Sequence, residues 1–288
     1  MRRSHVVAWV MLFVVLNAAM VWFLRDRMMR PPEPLGASAE PSASSTNPAE
    51  SAEPVVRGQV FLAGSPGGAV LRLTQGNCDA DDLQVSGWIA PPDAGPITVE
   101  LPAVAEVAAV GRIEGSWWII GTDSACEIKA WRSQTLLGGP WSETGIPEGA
   151  WYLDPQDPTQ VNTPRGRLAL PEFCSANWVQ TVDVKAYLVC EDGRAQVTEQ
   201  GVRQFADLPL SAAVVAIAAT ADGRLAQLMT TPGCRALLRV IERETVADQH
   251  CFEPGKAPLG LAWTGEDLVA QIGFDLMDNA GGTWAIRS

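Results

Sequence analysis

From Gly58 onward the sequence is cut into short β-prone runs by Asp-Gly and Gly-rich turns, and no long helical period interrupts them. Asp-Gly between apolar runs is a hairpin signal, because the tight turns that match strand twist need positive φ. Ala186–Cys190 and Arg194–Thr198 flank Glu191-Asp192-Gly193. Val214–Ile217 and Leu225–Leu228 flank Ala221-Asp222-Gly223. Ser116–Ile120 and Glu127–Trp131 flank Gly121-Thr122-Asp123-Ser124. Gln59–Ala63 and Val70–Leu73 flank Ser65-Pro66-Gly67-Gly68, and Leu259–Trp263 and Leu268–Ile272 flank Gly265-Glu266. A chain built this way folds as an all-β domain.

These turns fall near residues 66, 123, 192, 223 and 265, a mean spacing of about 50. Four-stranded propeller blades repeat at roughly 40–50 residues. The uneven spacing implies a degraded repeat or insertions. About five blades fit residues 57–288, and a pair of β-sandwiches is the rival arrangement.

Met277-Asp278-Asn279-Ala280-Gly281-Gly282-Thr283-Trp284 resembles the Asp-box, or BNR, motif of sialidase-like propellers, Ser-x-Asp-x-Gly-x-Thr-Trp. Gly281, Thr283 and Trp284 match, while Met277 and Asn279 stand where the motif has Ser and Asp. Thr198–Phe205 is a weaker echo, and Trp131-Arg132-Ser133 with Gly138-Gly139-Pro140-Trp141 is one residue too long. The motif closes the turn between outer strands and packs its Trp between blades. The resemblance therefore implies a degenerate β-propeller on a membrane-anchored bacterial protein and is silent on ligand.

The remainder of the chain differs. His5–Leu24 holds no Asp, Glu, Lys or Arg over twenty residues, with Trp9 and Trp22 toward its ends. At about 1.5 Å per residue it spans the roughly 30 Å core of a bilayer. A cleaved signal peptide would have a shorter apolar region, and the nearest Ala-x-Ala, Ala37-Ser38-Ala39, lies well downstream. Residues 1–30 thus read as a transmembrane signal anchor. Pro31–Val56 is Pro, Ala, Ser and Glu with little to bury, which reads as a disordered linker. Extended as polyproline II it reaches roughly 80 Å. Arginines flank the span on both sides, so charge alone does not orient it.

Six cysteines follow the span. Opposed residues of an antiparallel pair keep a constant index sum. A hairpin of Arg235–Ile241 and Glu244–His250 about Glu242-Arg243 has the sum of Cys234 with Cys251. A hairpin of Asn177–Val182 and Ala186–Cys190 nearly has that of Cys174 with Cys190. Cross-strand spacing there suits a disulfide. Cys78 and Cys126 pair by elimination. Disulfides belong to an oxidising space, which places the domain outside the cytoplasm at the cell membrane; six buried thiols in a cytoplasmic domain is the alternative.

The chain carries −12 overall. Arg2, Arg3, Arg25, Arg27 and Arg30 against Asp26 leave −16 for the rest, a field that repels nucleic acid. Of two histidines only His250 falls in the domain, no CxxC exists, and no cofactor or metal is expected. Asp79-Ala80-Asp81-Asp82 lacks the glycine and ligand spacing of an EF-hand and reads as a solvated acidic turn. A sialidase-like reaction would need a tyrosine nucleophile. Tyr187 lies in a core strand, Tyr152 on a loop, and the Phe/Tyr-Arg-Ile-Pro segment is absent. No residue is assigned a catalytic role. Trp117 and Trp118 are adjacent in one strand, so one is expected to face out. The reading is a membrane-tethered extracytoplasmic propeller that binds or scaffolds an envelope protein or glycan. The alternatives are a tethered glycosidase and an assembly factor for a membrane complex.

Overall fold

The computed structural model describes residues 60–79, 84–133, 135, 137–199, 204–208, 213–252, 258–280 and 282–287. The predicted span His5–Leu24 and linker Pro31–Val56 lie outside them, as do residues 80–83. Among the described residues no helix is long and apolar enough to cross a membrane.

The strands form six antiparallel sheets. Blade 1 is β1 (Val60–Gly64), β2 (Val70–Thr74), β3 (Gly87–Ala90) and β4 (Ile97–Thr98). Blade 2 is β5 (Glu106–Ile113), β6 (Ser116–Thr122), β7 (Ile128–Ser133) and β8 (Trp141–Thr144). Blade 3 has three strands, β9 (Tyr152–Leu153), β10 (Gln160–Thr163) and β11 (Gly166–Ala169). Blade 4 is β12 (Ala176–Val182), β13 (Lys185–Cys190), β14 (Ala195–Glu199) and β15 (Ala206–Asp207). Blade 5 is β16 (Val214–Ala219), β17 (Leu225–Thr231), β18 (Cys234–Glu242) and β19 (Thr245–Phe252). Blade 6 is β20 (Leu259–Thr264), β21 (Asp267–Ile272), β22 (Asp275–Ala280) and β23 (Thr283–Ile286).

The leading strands β1, β5, β9, β12, β16 and β20 each touch the next, and β20 touches β1, so the ring closes. The fold is a six-bladed β-propeller. The expected count of five is corrected here. All five expected hairpins form, in blades 1, 2, 4, 5 and 6. Blade 3 had no legible turn, because its strands are only two to four residues long. The uneven spacing has a simple cause. Three of the turns join first to second strands, whereas Asp123 and Asp192 sit in turns joining second to third.

Second strands of the four-stranded blades are covered on both faces by neighbouring blades, so they are mostly buried and mostly apolar. Every residue of β6 is buried, and both Trp117 and Trp118 are inside, which corrects the expectation that one faces out. Tyr187 is buried in β13, as its sequence context suggests. The seam between blades 1 and 6 is filled by Val60, Leu62, Val70, Ala262, Val269 and Leu276. There the backbones approach so closely that a Cβ on Gly64 would lie 2.0 Å from the carbonyl oxygen of Trp263.

Three disulfides are present: Cys78–Cys126, Cys174–Cys190 and Cys234–Cys251. Cys78 lies between β2 and β3 and Cys126 between β6 and β7, so this bond joins adjacent blades. All three fall on the face that carries the second-to-third turns and the blade-to-blade links. The opposite face carries the first-to-second turns. In β12–β13 Cys190 opposes Ala176, two residues from Cys174, close to the expected register. In β18–β19 Cys251 opposes Leu237, so that register is three residues from the expected one, although the bond forms.

Candidate functional site

The leading strands of blades 1, 2, 4, 5 and 6 and the loop before β9 surround a cavity of about 570 Å³ on the propeller axis. Its walls come from all six blades. Phe61 of β1, Trp118 of β6, Trp178 of β12 and Trp263 of β20 supply aromatic surface. Blade 3 has no full-length inner strand, and the loop residues Glu148 to Trp151 take that place. Gly111 of β5 makes room for the Trp118 ring, since a Cβ there would fall 2.5 Å from it.

Hydrogen bonds across blades hold this lining. The Trp151 N–H donates to Thr181 Oγ1 of β12 at 3.2 Å. The Ala219 N–H donates to Gln180 Oε1 at 3.0 Å, joining blades 5 and 4. The Trp263 indole donates to the Ala218 carbonyl at 3.0 Å, joining blades 6 and 5. The indole N–H groups of Trp118 and Trp151 are buried and have no partner. A buried unmet donor costs about 1–3 kcal/mol.

The mouth is polar. Glu148 and Asp183 are exposed and line it with half-buried Arg112. Arg112 donates to the Gly115 carbonyl at 3.1 Å and stands over the Trp117 ring at 5.4 Å. A cavity with aromatic walls and a few polar groups at its rim has the form of a ligand site.

Tyr152 lies elsewhere. It is half-buried in β9, not exposed on a loop, beside a cleft of about 370 Å³ between blades 2 and 3. Burial first, and then the Asp154 charge, pushes its hydroxyl above the ordinary value. Asp154 is buried and held by Arg167 at 3.1 Å. A tyrosine shifted this way is a poorer nucleophile at neutral pH.

The Asp-box-like segment forms the turn from β22 to β23, with Asn279 opposite Trp284; Gly281 lies outside the described residues. The two weaker echoes lie at the β7–β8 and β14–β15 connections. All three sit between third and fourth strands. Trp284 packs against Phe252 of the neighbouring blade, centroids 5.0 Å apart. Beside it, His250, Phe252, Met277 and the exposed Phe274 border an outer groove of about 880 Å³. The propeller reading implies a central channel as a natural site, but no residue of the axial cavity or of this groove is assigned from the sequence, because each is assembled from residues far apart in the chain.

No protein family matches the chain by sequence profile, and no curated protein matches its sequence. Solved structures do match. A mutant of AofleA from Arthrobotrys oligospora is 12% identical, with a TM-score of 0.54 over 80% of this chain and 85% of that one. A mutant Aleuria aurantia lectin in complex with Fucalpha1-6GlcNAc is 9% identical, with a TM-score of 0.53 over 80% of this chain and 94% of that one. The same lectin with alpha-methyl-L-fucoside gives 10%, 0.51, 80% and 93%. At such identity the likeness is one of fold.

Proposed function

We propose that this chain is a single-pass membrane protein that presents its propeller outside the cytoplasm, as a binding or scaffolding module for an envelope protein or glycan. The observation that carries the binding role is the axial cavity, with Trp118, Trp151, Trp178 and Trp263 in its walls and Glu148, Asp183 and Arg112 among its polar groups. The uncharged span His5–Leu24 and the Pro31–Val56 linker support the tether, and three disulfides support an oxidising compartment. The similar lectin structures hold fucosides, which agrees with a glycan as one class of partner. The β22–β23 turn, with Asn279, Gly281, Thr283 and Trp284, is read as a degenerate Asp-box that serves folding.

Two measurements test this. Cysteines alkylated in intact cells, with and without reduction, are expected to be protected as three pairs; six free thiols would sink the outside placement. Labelled full-length chain is expected to bind envelope fractions, and Trp151→Ala to abolish that binding; undiminished binding by the variant would move the site off the axis. The glycosidase alternative draws on Glu148 and Asp183 at the same mouth. Turnover of aryl glycosides, lost in Glu148→Gln, would establish it in place of binding.

A further inference from the structure

We infer that the axial cavity receives a basic side chain, lysine or arginine, carried on a polypeptide segment of the partner. This rests on the binding reading above and names its ligand. Five of the six blades place a carboxylate on one face of the ring, and two of these, Glu148 and Asp183, line the axial cavity. The first-to-second turns of blades 2, 4, 5 and 6 bear Glu114, Asp183, Asp222 and Glu266, and the blade 3 loop bears Glu148. All five are exposed. Blade 1 contributes the neutral Ser65-Pro66-Gly67-Gly68. Ring closure alone turns five acids dispersed along the chain into one collar.

The cations of this collar are Arg112, Lys185 and Arg224. Arg224 is engaged by Asp222 at 3.1 Å and stands over Trp263 at 4.7 Å. Arg112 is turned to Gly115 and Trp117. Among the described residues no ion pair engages Glu114, Glu148, Asp183 or Glu266. The collar is therefore left with net negative charge above an aromatic cavity. Indole faces attract a cation, most strongly where water is excluded. Trp118, Trp151, Trp178 and Trp263 line the same cavity as the Glu148 and Asp183 carboxylates, so a cation drawn in by those carboxylates meets aromatic surface. The net −12 of the chain draws such a partner in from a distance. A phosphorylated or acidic ligand is repelled by the same collar, and a neutral glycan, whose hydroxyls can donate to the carboxylates, leaves their charge unneutralised.

The test is a titration of the full-length, detergent-solubilised chain with capped tetra-arginine, followed by tryptophan fluorescence. A saturable change is expected. The pair Glu148→Gln with Asp183→Asn is expected to weaken it about tenfold. Asn suits the positive φ of residue 183, so this variant keeps its turn. Asp248→Asn with Asp275→Asn, on outer strands, removes the same charge elsewhere and is expected to leave affinity unchanged. Equal weakening by both pairs, full affinity in the first, or no response to the peptide overturns the inference. A response to chitotetraose without one to tetra-arginine overturns it while the binding reading stands. Silence to both, with turnover of an aryl glycoside, removes the binding reading itself.

Discussion

Arg287 reaches from the end of blade 6 into blade 1: its Nη1 donates to the Gly68 carbonyl at 2.8 Å, while Nη2 pairs with Asp278 Oδ2 at 3.0 Å. The arginine side chain is 8% exposed and the aspartate 21%. Among the described residues no strand is exchanged between the first and last blades, so this clasp and the apolar seam close the ring. Truncating the arginine leaves a largely buried carboxylate and a carbonyl without their partner. Arg287→Ala is expected to cost about 2 kcal/mol, less than for a fully buried pair because Asp278 keeps some water. That is a fall in melting temperature of roughly 5 °C, to be read by calorimetry. An unchanged transition would show that the apolar seam alone closes the ring.

Gly64 tests the other half of the closure. A methyl group there has no room before the Trp263 carbonyl, and backbone does not yield as a flexible side chain does. Gly64→Ala is expected to destabilise by about 1–3 kcal/mol or more. Gly95→Ala, where nothing lies within 4 Å, is the matched control and is expected to change stability little. Chemical denaturation of the two variants side by side checks this. Equal midpoints would mean that the seam is loose.

Local signals in the sequence carried most of the fold, and long-range ones were hidden. Asp192-Gly193 and Asp222-Gly223 announce their turns because glycine at positive φ is chemically required there. Gly193 also packs so tightly that a Cβ would lie 2.7 Å from Ala213. The β18–β19 turn was misplaced because it runs through Arg243 and Glu244, both at positive φ, where sequence preference expects Asn or Gly. A bulge between Val240 and Ile241 shifts the register further. The carboxylate collar was not legible at all. Glu114 and Glu266 are solvated turn acids in any local reading, and only six successive blades bring them around one axis.

The disulfides are expected to differ in worth. Cys78–Cys126 closes a separation of 48 residues and joins two blades, whereas Cys174–Cys190 and Cys234–Cys251 close 16 and 17. On chain-entropy grounds the first is worth about 4 kcal/mol and each of the others about 3. Paired Cys→Ala variants, melted under non-reducing conditions, are expected to rank in that order. A reversed rank would show that native packing, not the constraint on the unfolded chain, dominates.

Glu106 gives a pH signature of its own. It opens β5 and bonds the Cys78 N–H at 3.4 Å. Burial pushes its carboxyl above the ordinary value and Asp79 adds in the same direction, while the Cys78 bond opposes them. The sign follows from proton linkage. Below the unfolded value, about 4.3, both states are protonated and the group contributes nothing to the pH dependence. As pH rises from there through the raised folded value, the unfolded chain loses its proton first, and stability falls. Glu106→Gln keeps an acceptor for Cys78 and carries no charge. It is expected to raise the melting temperature by about 1–3 °C at pH 7, and this gain is expected to vanish near pH 4. Asp157, Asp192 and Asp222 act oppositely. Hydrogen bonds from Thr159, the Arg194 N–H and Thr220 respectively hold these carboxyls below their ordinary value. Their contribution is present above the unfolded aspartate value and is lost as pH falls through the folded one. Wild type and Glu106→Gln melted from pH 3 to pH 8 separate the two effects. A gain that persists at low pH would mean that the introduced amide packs better than the carboxyl, and that the charge was never the cost.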